Sequence, residues 1–101
     1  MRELTSRQRA ILRSLAHSLK PITQIGKDGV TGSVAKTVGD ALNTRELLKV
    51  RVLETAPADA AEIGEELARQ IDGAHLVQVI GRTLVLFRRH PTDPQVTLPD
   101  L

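Results

Sequence analysis

The stretch Leu76-Val77-Gln78-Val79-Ile80-Gly81-Arg82-Thr83-Leu84-Val85-Leu86-Phe87-Arg88 decides the fold. Two runs rich in β-branched and apolar residues flank Gly81-Arg82. A Gly-X pair between such runs predicts a hairpin with a II′ turn, because glycine takes the positive φ needed at the first turn position. A hairpin cannot bury its apolar residues alone, so the remaining chain must supply further strands and helices to cover it.

Working back from the hairpin, Gly73 is suited to end a helix. Residues Asp59 to Ile71 place Ala60, Ile63, Leu67 and Ile71 on one helical face, with Glu62, Glu65, Glu66 and Arg69 towards water. Ala56-Pro57 breaks the preceding segment, Leu47 to Leu53. That segment alternates as a strand, with Val50 and Val52 on one side and Lys49 and Arg51 on the other. Further back, Thr31 is placed to cap a helix whose buried face is Val34, Val38, Ala41 and Leu42, with Asn43-Thr44 at its exit. Gly32 and Gly39 weaken that helix by about 1 kcal/mol each relative to alanine, although Gly39 also permits close packing.

A short apolar strand, Ile22 to Ile25, leads into Gly26-Lys27-Asp28-Gly29. At the start of the chain, Thr5-Ser6-Arg7-Gln8 has the spacing of a capping box. The helix that follows is expected to carry a core stripe of Leu12, Leu15, Ala16 and Leu19 and to end at Pro21, since the residue before proline is driven out of the α region. The predicted fold is α+β: one domain in the order α-β-α-β-α-β-β, with a four-stranded mixed sheet packed with helices. We expect the domain to cover residues 1–90. Residues 91–101, with Pro91, Pro94 and Pro99, are expected to form an extended tail with Val96 and Leu98 docked on the domain.

Composition narrows the function. The chain has 101 residues, 41% hydrophobic and 26% charged, which suits one soluble domain with its own core. Phe87 is the only aromatic residue, so base stacking on rings can play at most a small part in any nucleic-acid binding. There is no cysteine, and no histidine pair has metal-ligand spacing. The sequence shows no apolar run of membrane-spanning length, no signal peptide, no phosphate-binding P-loop and no Ser/His/Asp constellation. We therefore expect a cytoplasmic, monomeric, non-catalytic protein with no cofactor and no metal. Charge is segregated: residues 1–53 carry ten Lys/Arg against four Asp/Glu, a net of +6, whereas residues 54–72 carry one Arg against six acids, a net of −5. Such a molecule offers one side to anions.

The loop at residues 26–29 is the main candidate site. Lying between a strand and a helix, it combines glycines that let a ligand approach the backbone, a cation at Lys27, and the free N–H groups of the helix start next to Thr31. A G-x-x-G loop in this setting clamps RNA backbone in KH domains. Asp28 opposes phosphate by its charge, and a turn or cap role, hydrogen-bonded to backbone amides, accounts for it. Further candidate contacts are Lys20, Lys49, Arg51, Arg82 and Arg88. Lys49 and Arg51 must lie on an open face or edge of the sheet, because a helix-covered face would bury them unpaired. Each also has a plain reading as a solvated surface charge. The ridge Arg9, Arg13, His17 either faces RNA or is the wet side of an amphipathic helix.

The sequence also resembles, over nearly its whole length, the stand-alone bacterial form of the CRM domain, the chloroplast RNA splicing and ribosome maturation family. The resemblance rests on Leu15-Ala16-His17-Ser18-Leu19-Lys20-Pro21, on Ile25-Gly26-Lys27-Asp28-Gly29-Val30-Thr31, on Glu46-Leu47-Leu48-Lys49-Val50, and on residues 77–88 of the hairpin. It implies the fold derived above, RNA binding through the G-x-x-G loop, and association with ribosomal RNA in precursors of the large ribosomal subunit. Three positions depart from the pattern: Phe87 stands where tyrosine is usual, Arg82 where lysine is usual, and Asp28 where asparagine is usual. The alternative function is a protein-interaction module docking through the acidic helix, residues 59–72.

Overall fold

The computed structural model describes residues 3–99. Residues 1, 2, 100 and 101, which include the ends of the expected domain and tail, lie outside the described residues. The elements are α1 (Ser6–Ala16), β1 (Pro21–Ile25), α2 (Gly32–Ala41), β2 (Leu47–Val52), α3 (Ala60–Gln70), β3 (His75–Ile80) and β4 (Thr83–Phe87), in the expected order. The sheet runs β1-β2-β4-β3. The β1–β2 pair is parallel and the other two pairs are antiparallel, which makes the sheet mixed.

Local chemistry explains the helix starts. Thr5 closes a full capping box with Gln8, Thr31 accepts from Val34 N, and Asp59 accepts from Glu62 N. Each cap satisfies a backbone donor that the first turn leaves without a partner. Gly81 has φ +58° at the first position of the hairpin turn, as the tight connection requires. Pro21 opens β1 at the sheet edge, where a missing N–H disturbs no central ladder.

Strand alternation divides the apolar residues into two layers. Leu48, Val50, Val52, Leu84 and Leu86 face α2 and α3 and meet Val38, Leu42, Ile63 and Leu67. Val77, Val85 and Phe87 face α1 and meet Leu4, Leu12, Ala16 and Leu98. Gly64, in the middle of α3, lets that helix approach the sheet closely. A Cβ there would stand 3.0 Å from methyl groups of Leu76 and Leu84. Gly39 does not have this role, since a Cβ would meet only Ile71, at 3.8 Å.

The structure corrects the first helix. It ends at Ala16, four residues before Lys20, and Leu15 and Leu19 are exposed rather than part of the core stripe. Once the chain leaves the helix, residues 17–20 no longer follow its periodicity. Buried Gln8 takes a place in that layer instead, and its Nε2 donates to Pro99 O in the tail.

The tail is held by one carboxylate. Buried Glu46 accepts from the backbone N–H of His90 at 2.9 Å, Gln95 at 2.6 Å and Val96 at 2.8 Å. Burial pushes its carboxyl up, but the three donors and the nearby His90 outweigh that effect and hold the pKa below its ordinary value. His90 Nδ1 in turn accepts from Thr92 N and Asp93 N, which fixes the turn that brings Val96 and Leu98 against the α1 layer.

Candidate nucleic-acid interface

One end of the sheet gathers three segments. Leu53 N donates to Ile25 O at 2.8 Å and Val52 N to Arg82 O at 2.7 Å. The 26–29 loop, the end of β2 and the hairpin tip are therefore tied together. Within the loop, Gly29 N donates to Gly26 O at 3.0 Å, closing a turn that projects Lys27 and Asp28 into solvent.

The two glycines differ. Gly29 has φ +65°, and a Cβ would stand 3.1 Å from Pro57 Cγ, so both conformation and space favour glycine there. Gly26 is not among the glycines with positive φ, and a Cβ would make ordinary contacts of 3.5 Å with Leu53 and Thr55. Gly29 therefore shapes the loop, while Gly26 leaves its surface low. Asp28 sits in the turn, but its side chain accepts no hydrogen bond among the described residues, so the expected bond to backbone amides is not realised.

Beyond the loop, α2 starts with Thr31 as its cap and carries no acidic residue in its first turn. The start of α3 differs, with Asp59 as cap and Glu62 in the first turn. The positive end of the α2 dipole is thus left uncompensated by its own helix. A Cβ on Gly32 would meet nothing within 4 Å, so the approach to this helix end is open.

The candidate cations separate into two groups. Three of them serve the fold. Lys49 Nζ donates to Leu19 O at 3.0 Å and His17 O at 3.4 Å, satisfying carbonyls just past α1. Arg88 donates to Gly39 O at 3.0 Å, Asn43 Oδ1 at 2.8 Å and Asp72 O at 3.3 Å, joining the ends of α2 and α3. Arg88, a candidate contact at the strand end, is thus engaged by groups of the protein itself. Arg9, from the expected ridge, donates to Leu76 O at 2.8 Å and Val77 O at 2.9 Å, where the β3–β4 register shifts. It also contributes, after burial, to holding the His75 pKa below its ordinary value. Arg13 and His17 remain exposed.

Lys20, Lys27, Arg51 and Arg82 are exposed and make no ion pair among the described residues; the ion pair found there is Lys36–Asp40 at 2.9 Å. Lys20, Gln24 and Arg51 line a shallow groove of about 450 Å³ along the free edge of β1. The acidic residues of α3 lie on the far side of the sheet, because Ile63 and Leu67 pack in the opposite layer. Sequence reasoning missed Glu46, whose partners are 44 to 50 residues away, and Gly64, for which a glycine amid helix-forming residues was the available signal. Among the described residues no cluster of side chains suits a metal ion, and no helix is long and apolar enough to cross a membrane.

Known proteins resemble this chain in sequence and in fold. The chain is 42% identical over 96 residues to a Bacillus subtilis (strain 168) protein named "Probable RNA-binding protein YqeI", covering 95% of this chain and 99% of that protein. It is 36% identical over 88 residues to a protein of Haemophilus influenzae named "RNA-binding protein", covering 87% and 88% of the two chains. The solution structure of the hypothetical protein SAV1595 from Staphylococcus aureus superimposes with a TM-score of 0.81 at 41% identity, covering 96% of this chain and all of that one. Residues 4–88 match the CRS1 / YhbY (CRM) domain, and the chain belongs to that family.

Proposed function

We propose that this chain binds RNA as a non-catalytic module, gripping the backbone with the Gly26–Gly29 loop and the start of α2. Its target is ribosomal RNA during assembly of the large subunit, and it acts there as a cytoplasmic monomer. The observation that carries the reading is the corner itself: a projecting Lys27 in a turn closed by Gly29, beside an acid-free, sterically open helix start. Backbone amides at such a start favour phosphate, and low local relief lets the strand come close. Lys20, Arg51 and Arg82 extend the positive field around the corner, and Arg51 lies on the sheet face opposite the acidic α3. The names of the relatives support RNA as the ligand. Resemblance to the family supports the ribosomal target.

The test is a binding titration over a salt series with a large-subunit ribosomal RNA fragment, an unrelated structured RNA and duplex DNA. Wild type is expected to prefer the ribosomal fragment. Lys27→Ala is expected to weaken RNA binding across sequences and reduce the log–log salt slope by about 0.7 to 0.9. A folded Lys27→Ala variant with wild-type affinity and slope would remove the loop from the interface. Equal binding of both RNAs would remove the ribosomal target.

A further inference from the structure

The register of the sheet places one residue from each strand in a single line: Gln24 opposite Arg51, Arg51 opposite Thr83, and Thr83 opposite Ile80. Arg51 alternates with Val50 and Val52 of the α2/α3 layer, so the line lies on the α1 side. Yet α1 does not cover it. The α1 layer is built on Val77, Val85 and Phe87, and Lys49, one strand step inward from Arg51, already reaches the carbonyls that follow the helix. Gln24 and Arg51 are exposed, Thr83 is half-buried, and Ile80 is 49% exposed.

Leu15 and Leu19, the other large exposed apolar residues, adjoin one groove beside the tail; Ile80 stands apart from them on the sheet. An isoleucine here, in line with a guanidinium, an amide and a hydroxyl, presents an apolar contact beside a phosphate-binding charge.

We propose that this row is a track for single-stranded RNA leaving the 26–29 loop. Arg51 holds a phosphate, Gln24 and Thr83 offer hydrogen bonds, and the face of a base packs on Ile80. The inference rests on the reading of the loop as an RNA grip and extends the site beyond it. Three features favour RNA over other occupants. The row begins two residues before the loop, at Gln24. It is flanked by Lys20, Lys27 and Arg82 with no ion-pair partner among the described residues. And the acids of α3 lie on the opposite face. The row crosses three interstrand steps, about 14 Å. Four-stranded RNA-binding sheets hold two or three bases on their face. The loop takes about four nucleotides, so loop and row together hold about seven.

The test compares fluorescein-labelled single-stranded RNAs of four and ten nucleotides, of one mixed sequence, on the full chain. Variants are Arg51→Gln, Ile80→Ser and Lys27→Ala, each checked for folding by circular dichroism. Arg51→Gln is expected to weaken the ten-mer about fivefold and flatten its salt slope by about 0.7. Ile80→Ser is expected to weaken it about threefold with the slope unchanged, because the lost contact is apolar. Both should leave the four-mer within twofold, while Lys27→Ala weakens both lengths. If the row variants bind the ten-mer as wild type does while Lys27→Ala loses both, the track is wrong and the loop stands. If Lys27→Ala is silent but the row variants lose the ten-mer, the row binds RNA and the loop reading fails. A wild type that binds neither oligomer refutes the track, and the ribosomal-fragment titration then judges the loop alone.

Discussion

The two faces of this sheet are closed by different means. On one, α2 and α3 cover Leu48, Val50, Val52, Leu84 and Leu86 with a continuous aliphatic layer, tightened by the close approach at Gly64. On the other, one helix of 11 residues and a tail segment cover Val77, Val85 and Phe87, with Leu47 partly buried beside them, and the tail is held by hydrogen bonds to Glu46. The first face gives up all its surface to stability. The second retains an uncovered margin, and the free cations Arg51 and Lys20 are found along it. Incomplete coverage is what allows a sheet of this size to present charge without burying it.

The largest effect should separate the two layers. Leu67→Ala, at a fully buried position of α3, is expected to cost about 3 kcal/mol in denaturant unfolding. Leu98→Ala, in the tail, should cost no more than about 1.5 kcal/mol, because the segment can move to refill the space. Equal costs would mean that the tail layer is as integral as the first.

A second comparison sets two arginines against each other. Arg88→Ala should lower stability by about 1 to 2 kcal/mol through its lost carbonyl and Asn43 partners, with RNA affinity little changed once folded protein is counted. Arg51→Ala should do the reverse, leaving the unfolding midpoint in place and weakening RNA binding. Exchange of these outcomes would overturn the division into structural and free cations.

A third concerns pH. The folded state lowers the Glu46 pKa from its ordinary 4.5, so this carboxylate contributes stability above that value, and the contribution is lost as pH falls through the lower folded value. Amide exchange at Gln95 and Val96 should therefore accelerate, relative to core amides, below about pH 4.5, and Glu46→Gln should show faster exchange at pH 7. Tail amides that stay as protected as the core throughout would contradict the clasp. The smallest effect is expected at Gln78, whose buried Oε1 has no hydrogen-bond partner among the described residues. Gln78→Leu should be neutral or stabilising by up to about 1 kcal/mol.

Much of this architecture is legible in the sequence, because its determinants are local. The hairpin at Gly81, the caps Thr5, Thr31 and Asp59, and the alternation around Val50 each depend on neighbours a few residues away. The site is less legible. The loop can be found, since it needs only a strand before and a helix after. But Arg9, Lys49 and Arg88 read along the chain like Arg51, and only tertiary structure shows that their donors meet backbone carbonyls 16 to 68 residues distant. The same limit hides Glu46. Leu19 lies past the end of the helix at Ala16, where helical periodicity no longer holds, and Leu15, though within α1, lies off the buried line of Gln8, Leu12 and Ala16.

The most direct test of the central claim is a map of backbone amide shifts in the ¹⁵N-labelled chain as large-subunit ribosomal RNA fragment is added. The expected result is perturbation concentrated at residues 26–33 and along Gln24, Arg51, Thr83 and Ile80, with α3 silent. Perturbation concentrated in α3, with the Gly26–Gly29 loop unmoved, would contradict the account and make the acidic helix the docking surface.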